Sequence, residues 1–189
     1  MQQNSNVKRL VETAVLLALG FVLSTLKVKL VAAGGSITIV SMLPIVILAN
    51  KYGVAWGTLS GFVHGILQII EDGGIFPPTN DVFSYAMVLI LDYALAWAAV
   101  GLIAGLLRNT SSKPYISISL GCFFGIAGRF LCSFMSGVII WRVYAPEGQS
   151  PWIYSLLTNG MVLLPEMIIH TVVGYLLFRV PVMQEQLKA

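Results

Sequence analysis

From residue 82 to residue 107 the chain carries one charged side chain, Asp92, in a run of aliphatic and aromatic residues. That run exceeds the ~20 residues needed to cross the hydrocarbon core of a bilayer. Comparable runs occupy 7–26, 54–70, 115–141 and 152–178, separated by short polar breaks, and a shorter one at 37–50 contains Pro44. With 57% hydrophobic and 10% charged residues, the 189-residue chain departs from soluble domains, which are roughly one-quarter charged. The expectation is an all-α integral membrane protein of about six transmembrane helices, packed in one bundle and forming a single domain over 1–189. No small-residue cleavage site follows the first apolar run, so that run reads as a retained helix and not as a signal peptide.

The polar breaks set an expected orientation in the cell membrane. Placing both termini in the cytoplasm puts Lys8, Arg9, Lys51, Arg108, Lys113, Arg179 and Lys188 inside and leaves Lys27, Lys29 and Arg142 outside, as the positive-inside rule prefers. The net charge of +3 then follows from topology and gives no reason to invoke nucleic acid. Glu71, Asp72, Asp81 and Glu147 fall at the outer mouth, where a cation would arrive. AAGGS at 32–36 reads as a flexible outer loop, and EDGGIFPPTND at 71–81 as a rim held out of the hydrocarbon by its acids, glycines and prolines. Pro44 should shorten, bend or break the second helix.

Small residues mark close approaches. Gly57, Gly61 and Gly65 recur every fourth residue and present a face that another helix can pack against. Ala14, Ala18 and Gly20 offer a similar face on the first helix, which by itself reads as ordinary packing inside the bundle. His64 reads as a packed, hydrogen-bonded histidine, and Cys122 and Cys132 as small packing residues without a metal-site spacing.

The chemistry concentrates where ionisable groups enter the apolar runs. A buried arginine needs a carboxylate, a carbonyl or a water-filled cavity, and Arg129 has two candidates, Asp92 and Glu166. Asp92 lies about 15 Å below the outer end of its helix and should pair with Arg129 or with a cationic substrate. Tyr85, Tyr93 and Trp97 surround it in sequence. Ser133 stands one turn beyond Arg129 and Trp141 near the end of that helix. After the loop YAPEGQSP, Tyr154 and Asn159 open the last helix, on which Asn159, Glu166 and His170 share a face.

No HExxH, GxSxG or GxxxxGK[ST] occurs, so the defining chemistry of an intramembrane protease, a lipase-like hydrolase or an ATPase is missing. The reading is a binder, not an enzyme, with no cofactor and no metal. Asp92 would act as counter-ion to a flat organic cation, with Trp141 and the tyrosines supplying stacking and cation–π attraction of about 0.5–2 kcal/mol each. Asn159, Tyr154 and Ser133 would supply directional hydrogen bonds. A membrane scaffold, in which Arg129, Asp92 and Glu166 merely lock helices together, is the alternative of a different class.

The loop YAPEGQSP with YSLLTNG behind it, TAVLLALG at 13–20, GGSIT at 34–38 and LDYALAW at 91–97 together resemble the thiamine-specific substrate-binding subunits (S-components) of energy-coupling factor (ECF) transporters. The resemblance spans most of the chain. It implies an S-component fold, uptake of thiamine, and ligand contacts at Asp92, Tyr93, Trp141, Tyr154 and Asn159, with Arg129 as basic partner of the helix-four acid. It also implies that Ala14 and Ala18 dock on a transmembrane coupling subunit driven by two cytoplasmic ATPases. Members of that family often carry Glu where this chain has Asp92 and His where it has Ser133. The first change shortens the reach by one methylene, and the second leaves one face of the expected ring sandwich open. A related pyrimidine or another vitamin therefore stays open as substrate.

Overall fold

The computed structural model describes residues 2–30 and 35–187. Helix α1 (Gln2–Thr25) leads into a hairpin of β1 (Lys27–Leu30) and β2 (Gly35–Thr38), antiparallel, with Lys27 opposite Thr38 and Leu30 opposite Gly35. This hairpin corrects two expectations. Of the loop assigned to 32–36, residues 32–34 lie outside the described residues, while Gly35 and Ser36 belong to a strand. Ile37 and Thr38, assigned to the start of the second helix, complete that strand. The signal was the alternation Lys-Val-Lys-Leu, a period of two.

Helix α2 (Leu43–Tyr52) therefore begins later, and Pro44 sits in its first turn. There the missing N–H has no intrahelical partner to lose, so the proline starts the helix where a kink was expected. At ten residues α2 is about 15 Å long, half the thickness of a bilayer core. Leu43, Pro44, Ile45, Val46, Leu48 and Ala49 are all buried, and a helix apolar on every side fits only inside a bundle.

Helix α3 (Val54–Glu71) follows Gly53, whose φ of 92° favours glycine. Its glycine face meets the backbone of α5 (Leu95–Leu107): a Cβ added at Gly61 would lie 2.2 Å from the Trp97 carbonyl oxygen. The fourth expected helix is one element with an interruption. Helix α4 (Val82–Val88) passes into a π-helical turn, Leu89–Ala94, before α5 resumes the α-geometry. Asp81 caps α4, accepting from the Ser84 amide at 2.9 Å and the Ser84 hydroxyl at 2.8 Å. The Thr79 hydroxyl and the Ser84 groups pull its pKa down to about 2.

Helix α6 (Pro114–Ile139) ends two residues before Trp141, which opens a 3-10 turn, Trp141–Tyr144. Helix α7 (Pro151–Arg179) runs on through Pro165, and α8 (Pro181–Glu185) closes the description; Lys188 lies outside it. Each of the six expected helices has a counterpart, and three elements, Val82–Leu107, Pro114–Ile139 and Pro151–Arg179, are long and apolar enough to cross a membrane. Met42, Ile45, Leu48, Ile118, Ile126 and Phe178 fill the core, while Val11, Val15, Leu131, Leu164 and Ile168 face outward, as lipid-facing residues do. Both cysteines are free thiols, Cys122 buried in the core.

Candidate binding site

A cavity of about 590 Å³ opens at one end of the bundle, within the ~300–1,000 Å³ typical of small-molecule sites. Its wall is contributed by β2 (Gly35, Ser36), the end of α3 (Gln68, Asp72), the π turn (Asp92, Tyr93), α5 (Trp97), α6 (Arg129, Ser133), the 3-10 turn (Trp141, Tyr144) and α7 (Tyr154, Thr158, Asn159). Polar groups thus reach one chamber from seven segments that no local pattern links.

Asp92 lies in the π turn, a distortion often found at functional sites. Its Oδ2 accepts from the Ser136 hydroxyl at 2.7 Å and from the Trp141 indole N–H at 2.9 Å. Among the described residues no Lys, Arg or His nitrogen lies within 4.0 Å of it. The direct pairing of Asp92 with Arg129, one of the expected alternatives, is therefore not made. Arg129 instead donates from Nη1 to Glu166 Oε2 at 3.3 Å and to Met42 Sδ at 3.3 Å, and its guanidinium carbon lies 4.1 Å from the Trp97 ring centroid. The reason is burial: Glu166 is 1% exposed, and a carboxylate so placed requires a nearby cation and donors.

Glu166 also ties the hairpin to α7. Its Oε1 accepts from the Thr38 amide and hydroxyl, both at 2.6 Å, and the Thr38 hydroxyl pairs with Ser41 at 2.6 Å. On the other side, Lys27 bridges from β1 to Glu71 at 2.7 Å and to Asp72 at 3.6 Å, and the Tyr93 hydroxyl donates to Asp72 at 3.0 Å. Burial works against the Lys27 ammonium, but the Glu71 and Asp72 carboxylates outweigh it and raise its pKa.

The remaining expected residues are placed as follows. Asn159 donates from Nδ2 to the Ser133 and Ser155 carbonyls at 3.2 and 3.1 Å, which leaves Oδ1 without a partner among the described residues. Trp141 lies nearly parallel to Tyr144, ring centroids 6.2 Å apart at 23°. Ser133 and Tyr154 line the chamber. Tyr85 does not line it and is 41% exposed. In an uninterrupted α-helix Tyr85 and Asp92 would share a face, but Asp92 lies in a π-helical turn, where that periodicity does not hold. Ala14 and Ala18 are exposed and border an apolar groove of about 600 Å³ with Trp56, Leu59 and Val63 of α3. Of the three small residues on this face, Gly20 does pack inside the bundle, where a Cβ would lie 2.9 Å from His64 Cε1 and 3.0 Å from the Ser41 carbonyl oxygen, while Ala14 and Ala18 do not.

Sequence reasoning missed Gln68, Asp72, Ser136, Tyr144 and Thr158 at this site. Ser136 carried a signal, since it lies three residues after Ser133 and thus on a neighbouring part of the same helix face. Asp72 and Tyr144 were visible as rim and loop residues, but nothing local says that those segments fold over the chamber.

A helical membrane protein that encloses a small chamber with one uncompensated carboxylate and several aromatic rings belongs to the class of membrane solute binders. The comparisons make that specific. Residues 10–185 match the family described as thiamine transporter protein (Thia_YuaJ), and the chain belongs to this family. It is 31% identical to the thiamine transporter ThiT of Bacillus subtilis over 188 residues, covering 94% of each chain. It is 28% identical to the ThiT of Lacticaseibacillus paracasei, covering 96% of this chain and 92% of that one. The solved structure of ThiT from Listeria monocytogenes superposes with a TM-score of 0.78, covering 98% of this chain and all of the other, at 18% identity, a likeness of fold. The protein is a multi-pass membrane transporter component and not an enzyme.

Proposed function

We propose that the protein binds thiamine in the Asp92 chamber and delivers it as the S-component of an ECF transporter. The observation that carries this reading is Asp92, a carboxylate held by Ser136 and Trp141 in an aromatic chamber, with no cationic nitrogen within 4.0 Å among the described residues. A charge in that setting calls for a cation from outside. Thiamine brings a thiazolium, which Asp92 neutralises, and an aminopyrimidine. The rings of Trp141, Tyr144 and Tyr154 offer stacking faces, and the free Oδ1 of Asn159 accepts an amine hydrogen.

The groove at Ala14 and Ala18 is where a transmembrane coupling subunit docks, with two ATPases on the side of both termini, the cytoplasm. Small side chains there let a partner helix approach closely. This chain supplies capture, and the partners supply release.

The test is calorimetric titration of thiamine into the purified protein and its Asp92→Asn variant. A charge-assisted contact made neutral should cost about 1–3 kcal/mol, roughly 5- to 150-fold in Kd. Equal affinity for parent and variant removes Asp92 from the site. A parent that ignores thiamine but is stabilised by another vitamin in a thermal-shift series moves the assignment to that vitamin.

A further inference from the structure

We infer that Glu166, which does not line the chamber, sets its preference for a cationic ligand by cancelling the charge of Arg129 and so leaving Asp92 unneutralised. The inference rests on the reading of the chamber as the substrate site. Three ionisable groups govern its inner wall: Asp92 and Arg129, which line it, and Glu166 behind Arg129. At the rim, Lys27 is shared between Glu71 and Asp72. With Glu166 ionised, Arg129 and Glu166 form a neutral pair and Asp92 remains as a net negative charge. Without the Glu166 charge, Arg129 and Asp92 cancel through the same low-dielectric wall, and the attraction for a cation is lost.

Neighbouring groups support this charge count. Glu166 accepts from Thr38 twice at Oε1 and from Arg129 at Oε2, a donor set suited to a carboxylate anion. His170 is neutral beside it: the Met42 amide donates to His170 Nε2 at 3.1 Å, so that nitrogen carries a lone pair, and Nδ1 donates to the Glu166 carbonyl at 2.7 Å. His64, whose ring lies 4.6 Å from that of Trp97 at a tilt of 48°, receives the Gln68 amide at Nε2 and is neutral for the same reason. Arg129 is thus the one cation of the inner wall among the described residues.

Glu166→Gln removes the charge while its amide oxygen can still accept from Thr38, so the hairpin anchor survives. Parent, Glu166→Gln and Glu166→Gln/Arg129→Met are titrated with thiamine and with a neutral isostere carrying thiophene in place of the thiazolium. Circular dichroism and thermal unfolding check each fold. The expected result is a loss on the order of tenfold for thiamine in Glu166→Gln, little change for the neutral isostere, and recovery of most thiamine affinity in the double variant. Equal losses for both ligands, or a folded double variant as weak as the single one, would overturn the inference and leave Glu166 a structural anchor. If Glu166→Gln does not fold, the double variant decides: retained preference for thiamine over the isostere supports the charge argument, and a selective loss of thiamine refutes it. A parent that binds neither ligand rejects the thiamine reading itself.

Discussion

Replacing Gly65 by alanine tests the link between helix packing and the chamber. A Cβ at this position would lie 2.5 Å from the Tyr93 carbonyl oxygen, 3.1 Å from the Tyr93 carbonyl carbon and 3.2 Å from Trp97 Cβ. Ordinary Cβ contacts fall at 3.4–4 Å, and two of these neighbours are backbone atoms that no rotamer change can move. Helix α3 and the π turn must therefore separate by roughly 1 Å, an overpacking that costs about 1–3 kcal/mol. Alanine returns about 1 kcal/mol through its helix propensity, so the net loss is about 0–2 kcal/mol. Gly160 in α7 is the control. A Cβ there meets Leu164 Cδ1 at 3.8 Å and nothing closer, so Gly160→Ala should be neutral or slightly stabilising. Because Tyr93 neighbours Asp92 in the same turn, the displacement also exceeds the ~0.5 Å tolerance of a preorganised site. Thermal unfolding in detergent and thiamine titration on both variants provide the readout. Gly65→Ala should melt lower and bind thiamine more weakly, while Gly160→Ala keeps parental behaviour. Equal stability and equal affinity for the two would show that the contact of α3 with the π turn does not position Asp92.

Three further outcomes are expected. Ser133→His should place a second stacking surface in the chamber and raise thiamine affinity several-fold to about tenfold, from the ~0.5–1.5 kcal/mol of an aromatic stack; loss of binding in a folded variant would mean that Tyr144 already occupies that side. Ala18→Trp should abolish uptake in cells while the isolated protein still binds thiamine, because the bulk obstructs a groove that only the partner enters; matching losses in both assays would remove the docking assignment. Asp81 has a pKa lowered to about 2 from an ordinary 3.8, so its capping contribution is complete above pH ~4 and fades as the carboxylate protonates toward pH ~2. The thermal advantage of the parent over Asp81→Ala should narrow across that window, and a constant advantage from pH 5 to 2 would show that charge plays no part in the cap.

Local sequence determined which segments enter the membrane, because the cost of burying charge and backbone in hydrocarbon is read residue by residue along each run. The same cost marked Asp92 and Arg129 as inward-facing before any partner was known, and the aromatic loop after α6 was visible as composition. Partner choice was not, because it depends on which helix faces lie opposite each other. Arg129 had two acceptable carboxylates, and the packing of α6 against α7 delivered Glu166, leaving Asp92 to face the chamber without a cation. Helix rotation was equally out of reach: Asp92 sits in a π turn at the chamber and Tyr85 outside it, and the turn lies where α3 glycines closely approach the Tyr93 and Trp97 backbone, a contact between segments distant in sequence. Pro44 illustrates the same division. Its missing N–H is a local fact, but whether it breaks a helix or begins one was decided by the β-hairpin before it, whose Thr38 is anchored by Glu166, 128 residues further along the chain.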